Sequence, residues 1–510
     1  MSRRWKILTI LGVAVVALTC LWIGTLGIGP EKEVEAYKKS LIARGEKLEI
    51  SELVPPPVPD GQNGADIVKA ASTLLISTDD DWTNMPPTMR MVAPGKAMVC
   101  SAQPGVRERY FTNSWSNVTA MVEANRPGTE LLRQLTNFPD IDFHINYDLD
   151  LNNFAVLWDW AETNMILLRK CGDKLSADAM CNLRGGDAAP AAIDIQVMLA
   201  LINGEQDDRF FYSQYARMEM ALSTAAETWE LLQSTNINDE ELAVLQKSWE
   251  RLEFIHAFES AFLMDRAMIG SVIQKMRDSD AYFKKMIDIN DDWDFSGDWD
   301  DKWDTVKELA EGSYAISMWR ASWTYSDELQ MLQDDQLILE TIRTIEKSGS
   351  FNPAYTKTTT ELNNIEESHA GGDPANLRWM FSERSESVGY ELLKNAMSSE
   401  AATKIVVTAI ALKRYQLKHR AYPADLNSLV PEFLSAIPLD PVDGNPLRYH
   451  PNADGTFLLY SIGVNGKDDG GVSADRSLYY KWLDIKAPDW VWPQPATPAE
   501  IQAFYAHPPK

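Results

Sequence analysis

The stretch that decides the fold runs from Ala411 to Asp475, and three phrases within it set the course of the chain. The first, A-L-x-x-Y-x-L-x-x-x-x-Y-P (Ala411, Leu412, Tyr415, Leu417, Tyr422, Pro423), is the end of an amphipathic helix stopped by a proline that cannot donate to the hydrogen-bond ladder. The second, P-x-D-P-x-x-G-x-P-x-x-Y (Pro438 to Tyr449), is turn chemistry leading into a strand. The third, L-Y-S-x-G-x-N-G-x-x-x-G-G (Leu459 to Gly471), is a strand that opens into a glycine-rich loop. Leu426, Leu429 and Val430 form a short apolar turn between them. Strands are expected at Leu447 to His450 and at Phe457 to Ser461, separated by Asn452 to Gly455. Long helical patterns precede this region, so helices come first and a small antiparallel sheet last, an α+β layout.

That order of punctuation resembles the globular part of the major pseudopilin of type II secretion systems. The resemblance covers only the C-terminal end, taken as a module over 376–487. It implies a helix feeding a small sheet and a calcium loop in Ser461 to Arg476. Calcium takes six to eight oxygens from a chain flexible enough to wrap it. Asn465, Asp468, Asp469, Ser473 and Asp475 supply candidate oxygens, and Gly463, Gly466, Gly470 and Gly471 supply the turns. Asn465 stands where the family commonly has Asp, and Arg476 where it has an apolar residue; both weaken a cation site relative to a polar hairpin loop. The whole chain also resembles a group of single-anchor envelope proteins of planctomycete and verrucomicrobial type. That likeness rests on the proline run, the long helices and the E-L-x-x-L-Q segment Glu241 to Gln246, and it implies compartment and layout only.

At 510 residues the chain exceeds what one core usually supports. With 45% hydrophobic and 10% aromatic residues, it is not a disordered chain. Ile7 to Gly29 carries no charge and is long enough to span a bilayer, with Arg3, Arg4 and Lys6 before it. The positive-inside bias predicts a single-pass bacterial inner-membrane protein with its N-terminus cytoplasmic (1–30 tip and anchor) and its bulk periplasmic. Cleavage after Ala14 to Thr19 competes with an uncleaved anchor. A lipid on Cys20 fits poorly beside Leu18 and Trp22, and no pilin-type leader is present. Glu31 to Leu48 alternates charges at helical spacing, and Val54 to Asn63 is a proline-rich spacer expected to hold the anchor off from the rest (31–62).

Helical signals fill 63–375, with loops expected at Asp79 to Gly105 and Cys181 to Pro190. Helices are expected at Leu151 to Lys170, within Ala191 to Gln233 as one or two, from a cap at Asn238 to about Arg277, and at Asp304 to Met318, Ser326 to Lys347 and Asn376 to Arg420. Leu242, Leu245, Trp249, Leu252, Ile255, Phe258 and Phe262 fall at steps of three and four, which is core packing; His256 beside them reads as a structural histidine. The tail 488–510, rich in Pro and Trp, is expected to lie across the surface. Cys171 and Cys181 flank nine residues including Gly172, a loop that a disulfide would close in an oxidising compartment, with Cys100 left over or swapping partner.

Lys and Arg total 48 against 74 Asp and Glu, a formal charge of −26, so a nucleic-acid partner is disfavoured. A second cation candidate is half an EF-hand loop: Asp292, Asp294, Ser296, Gly297 and Asp300 occupy its positions, but Trp303 stands where a bidentate glutamate belongs. Its bland alternative is an acidic loop whose Trp293, Trp299 and Trp303 fold onto the core. With Trp319 and Trp323 these tryptophans would otherwise make a sugar-stacking surface. Glu366, Glu367 and His369 make the only local acid-base grouping, and read as a helix end. No serine-hydrolase elbow, zincin motif, phosphate loop or dinucleotide fingerprint occurs, so no catalytic residue is assigned. The sequence thus points to a membrane-anchored binding or structural protein with an unknown envelope partner. A secretion or pilus-like component, and an envelope-polymer hydrolase with two carboxylates about 5 to 9.5 Å apart, are its rivals.

Overall fold

A computed structural model of the chain describes residues 29–59, 61–76, 85–107, 112–147, 151–290, 323–369, 381–382, 389–473, 483 and 487–506. The apolar run from Ile7 lies outside these residues up to 28. No helix among the described residues is long and apolar enough to cross a membrane.

Most of the described chain is helical, with short strands near both ends, and the α+β layout holds. Helix α1 covers 29–43. It is followed by α2 (Ala65–Leu74), α3 (Trp115–Leu132), α4 (Leu151–Gly185), α5 (Ala188–Gly204), α6 (Phe211–Leu232), α7 (Asp239–Trp249), α8 (Ile255–Asp278) and α9 (Asp280–Asn290). Then come α10 (Thr324–Ser348), α11 (Asn352–His369), α12 (Tyr390–His419) and α13 (Pro498–Ala506). Strands β1 (Arg90–Ala93) and β2 (Lys96–Met98) lie before α3, and β3 (Arg448–Pro451), β4 (Phe457–Ile462), β5 (Asp489–Val491) and β6 (Gln494–Pro495) follow α12.

Local chemistry explains several boundaries. Asn238 caps α7: its side chain accepts from Glu241 N while Glu241 reaches back to Asn238 N, the reciprocal capping box. The seven apolar residues from Leu242 to Phe262 are all buried as their spacing predicts. They nevertheless span two helices, because the chain breaks between Trp249 and Ile255 and the free Phe254 N–H donates to Glu400 on α12 at 3.2 Å. The break near Gly204 separates α5 from α6. The helix expected from Asn376 is described from Tyr390 onward, and that expected at Asp304 to Met318 lies outside the described residues.

Four expectations are corrected. Cys171 and Cys181 are not bridged, and both sit on one continuous helix, α4. Ten residues of helix separate their Cα atoms by about 15 Å, far beyond the reach of a disulfide. Gly172 does not open a loop there. Second, Asp79 to Gly105 is not merely a loop: β1 and β2 form an antiparallel hairpin in it. Third, Val54 to Asn63 does not separate the segment just before it from the body. Val34 and Leu41 of α1 are buried, Leu41 against Ile269, Ile273, Met331 and Leu332 of α8 and α10, and Glu46 pairs with Arg266 and Arg343. Fourth, the start of the tail, 489–493, is core rather than surface strap. Trp490, Val491 and Trp492 are buried, β5 is the third strand of the β3-β4-β5 sheet, and β6 pairs in parallel with β2.

The body and the terminal module therefore share one apolar interior. Buried residues of α5, α6, α7, α8, α10 and α12 join Leu459, Ile462, Trp490 and Trp492 in a single cluster. Trp229 on α6 donates its indole N–H to Pro493 O at 2.7 Å, tying body to tail. Tyr415, Tyr422 and Tyr449 pack on that same cluster; Tyr422 and Tyr449 meet at Phe457, with ring centroids 4.9 and 6.0 Å away.

Candidate functional site

The acidic loop of the terminal module is held by the sheet beneath it. Antiparallel pairing sets Arg448 on β3 opposite Tyr460 on β4, and Ile462 on β4 opposite Asp489 on β5. The Arg448 guanidinium lies at the centre of the acidic groups. It donates to Asp440 at 2.9 Å and to both oxygens of Asp443 at 3.1 and 2.6 Å, and its Nε is 3.5 Å from Asp468. Asp440 is fully buried and also accepts from Val442 N, Ser461 Oγ and Ile462 N. Burial pushes its carboxyl up to about 6 against those donors. Burial acts upward most strongly on Asp443 too, but the hydrogen bonds from Arg448 and Asn445 and the Arg448 charge together outweigh it and hold that carboxyl below the ordinary range. The hydrogen bond from Tyr460 does the same for Asp468.

The loop's own course is set by glycine. A side chain on Gly463 would collide with Pro488 O, and one on Gly466, whose φ is +67°, would collide with the Asn352 amide at the start of α11. The loop thus lies against the sheet on one side and the corner between α10 and α11 on the other.

The expected calcium ligands do not converge among the described residues. Asn465 Nδ2 donates to Asp469 Oδ2 at 2.7 Å, so these two meet. Asp468 turns to Tyr460 OH at 2.9 Å and Gly470 N at 3.0 Å. Ser473 Oγ is buried and takes no hydrogen bond. Asp475 lies outside the described residues, as do Asp292, Asp294, Ser296 and Asp300 and the tryptophans at 293, 299, 303 and 319. At the end of α11, Glu366, Glu367 and His369 close a helix, as expected, and their side chains are not described.

The residue around which the loop is built is one that sequence reasoning missed. Asp489 is fully buried at the start of β5 and accepts from Gly471 N at 2.8 Å, Val472 N at 3.0 Å and Asp469 N at 3.4 Å. Burial raises its carboxyl, and those three amides act against the rise. Backbone N–H groups converging on a carboxylate make a nest for an anion, the opposite polarity to a cation cage. Arg448 supplies the positive charge beside it, and the described carboxylates of the loop are engaged with that arginine, with Tyr460 and with backbone amides. The available signal was a lone acid in the apolar run A-P-D-W-V-W.

Elsewhere the buried acids are similarly engaged. Glu230 on α6 accepts from Met89 N, Cys100 N and Ser101 N, at 3.0, 2.7 and 3.3 Å, and from Ser101 Oγ at 2.8 Å, pinning the β1–β2 hairpin. Arg133 bridges Asp194 at 2.7 Å and Asp178 at 3.2 Å. Glu227 differs: Ser176 donates to one oxygen at 2.6 Å, and the other, buried, has no partner. Burial pushes it up to about 7. A shallow groove of about 540 Å³ runs beside α11, lined by Asn352, Thr356, Lys357, Thr360 and Asp443 among others. Its single carboxylate, Asp443, is tied to Arg448.

Comparison with protein-family models, with curated proteins and with solved structures finds no match to this chain. The case for a function therefore rests on the geometry of the fold and its sites.

Proposed function

We propose that this chain is a membrane-tethered, extracytoplasmic structural protein that presents a docked, pseudopilin-like head to an envelope protein partner. The observation that supports this reading is the shared interior of head and body. Most of α12 from Leu393 to Leu412 is buried against α6, α7 and α8, and β6 fastens the tail to β2. Pseudopilins polymerise through the helix that leads into the head; here the corresponding surface is already occupied by the body. That favours a fixed scaffold over an assembling subunit. The hydrolase alternative needs a cleft with two carboxylates; among the described residues the groove beside α11 carries one, held in an ion pair. This open groove lies at the seam of head and body and offers a place for a partner.

Fractionation tests the reading. The chain should stay with membranes through alkaline carbonate washing, and alkaline phosphatase fused after Lys510 should be active. Removal of residues 1–29 should release it. A full-length chain in the soluble fraction, or an inactive fusion with a stable product, overturns the proposal.

A further inference from the structure

His256 and Glu259 lie one turn apart on α8, and Glu346 lies on α10, the helix packed against it. The spacing i, i+3 puts the first two on one helix face. One ligand atom from each residue lies within 4.8 Å of the others. His256 Nδ1 is 3.3 Å from Glu346 Oε1. The imidazole is 63% exposed, while Glu346 is one-third and Glu259 one-eighth exposed, so the two carboxylates line the floor and the ring forms the rim.

One of the carboxylates is held in place by its neighbours. Arg343 Nε donates to Glu259 Oε1 at 2.6 Å and fixes that carboxylate, leaving its second oxygen unclaimed by the arginine. Arg343 is itself fixed by Glu46, at 2.5 and 3.2 Å. An outer layer that orients a ligating group in this way is the usual support of a first-row metal site. Charge is unbalanced at the same spot. Arg343 is shared between Glu46 and Glu259, and Glu346 faces an imidazole rather than a permanent cation. Glu346 and Glu259 thus present two carboxylates side by side. An ion of charge two placed among the three ligand atoms relieves their repulsion.

We propose that His256, Glu259 and Glu346 bind a divalent transition-metal ion of the zinc class, clamping α8 to α10. One imidazole and two carboxylates suit zinc, manganese or ferrous iron. Calcium and magnesium take oxygen ligands and gain nothing from the ring. Three protein ligands on the rim of the body leave the remaining positions to solvent.

Metal-stripped full-length protein in detergent, titrated with Zn²⁺ against a chromophoric chelator, tests this. The expected result is one ion per chain, undisplaced by a hundredfold excess of Ca²⁺. His256→Ala and Glu346→Gln should each weaken binding at least tenfold, and His144→Ala, at an exposed histidine paired with Asp142, should leave it unchanged. Melting of each variant in chelator should match the parent, which separates lost binding from lost fold; should His256→Ala fail to fold, Glu346→Gln carries the test. Equal affinity in parent and variants overturns the proposal. So does a Co²⁺ derivative with a sulfur charge-transfer band, which would put the metal on the cysteines. Neither outcome bears on the membrane-tethered scaffold.

Discussion

Replacing Glu227 with glutamine should stabilise the protein at alkaline pH and leave it nearly unchanged at acid pH. Glu227 is buried on α6, with one oxygen accepting from Ser176 and the other unpartnered. Burial raises its carboxyl from an ordinary value of 4.5 to about 7. The sign follows from which form the fold prefers. A raised carboxyl binds its proton more tightly folded than unfolded, so its contribution is complete below pH 4.5 and lost as pH rises through about 7. The gap corresponds to about 3 kcal/mol, nearly all of it expressed by about pH 8.5. Glutamine keeps the acceptor for Ser176 and sets an NH2 where the neutral acid has its unpartnered oxygen, so at pH 5 the two side chains should be close to equivalent. With an unfolding entropy near 2.1 cal/mol/K per residue, a chain of this size shifts by about 1 °C per kcal/mol. The variant should therefore melt about 3 °C above the parent at pH 8.5. Asp194, pushed up to about 7 by burial, also titrates in this window. The informative quantity is thus the difference between variant and parent melting temperatures, compared at pH 5 and pH 8.5 by scanning fluorimetry. An equal difference at the two values would refute the reasoning, because it would mean Glu227 ionises as readily folded as unfolded.

Asp489→Ala strips the acceptor from three amides of the acidic loop and should destabilise the protein by about 3 to 5 kcal/mol, with Asp489→Asn costing less. Limited proteolysis should show cleavage within 463–473 in the alanine variant, and the parent's resistance should survive chelation; resistance that depends on calcium instead would restore the cation-loop reading. Cys171 and Cys181 should remain thiols under non-reducing conditions, and native protein at pH 8 should alkylate slowly, since burial pushes them up to about 12 and about 11. A Cys171–Cys181 cross-linked peptide in the mass spectrum would contradict the continuous helix.

What the sequence disclosed was what local chemistry decides. Asn238 with Glu241 marks a helix start within four residues, and Leu447 to His450 with Phe457 to Ser461 mark a hairpin by alternation and a turn between them. The break after Trp249 was hidden because the apolar spacing runs on across it, and its free amide finds Glu400 far along the chain. The tail was misread for a related reason. Pro488, Pro493, Pro495 and Pro498 punctuate it, so β5 and β6 are three and two residues long and carry no periodicity of their own. Their partners are β4, across a loop, and β2, near the other end of the chain. Gly172 and the spacing of two cysteines suggested a loop, yet burial along α4 outweighs the roughly 1 kcal/mol that a helical glycine costs.

The acidic composition is the deepest instance of this limit. From sequence, an excess of acids means solubility or cation binding. In the fold, Glu230, Asp327, Asp440 and Asp489 are buried, and each accepts backbone N–H groups from a segment that no ladder completes. Glu230 reaches from α6 to the β1–β2 hairpin, and Asp327 from α10 to Phe381 and Ser382. Asp489 reaches from β5 to the glycine loop. An unmet buried amide costs about as much as a lost hydrogen bond, and a carboxylate can meet several at once. These acids therefore act as fasteners between distant stretches of a chain whose strands are too short to fasten themselves. A cluster of acids in this fold accordingly points to a ligand only where internal donors leave it unsatisfied. In the acidic loop Asp440, Asp443, Asp468 and Asp489 are matched by Arg448, Tyr460 and backbone amides, whereas Glu259 and Glu346 have between them one arginine, itself divided with Glu46, and an exposed imidazole.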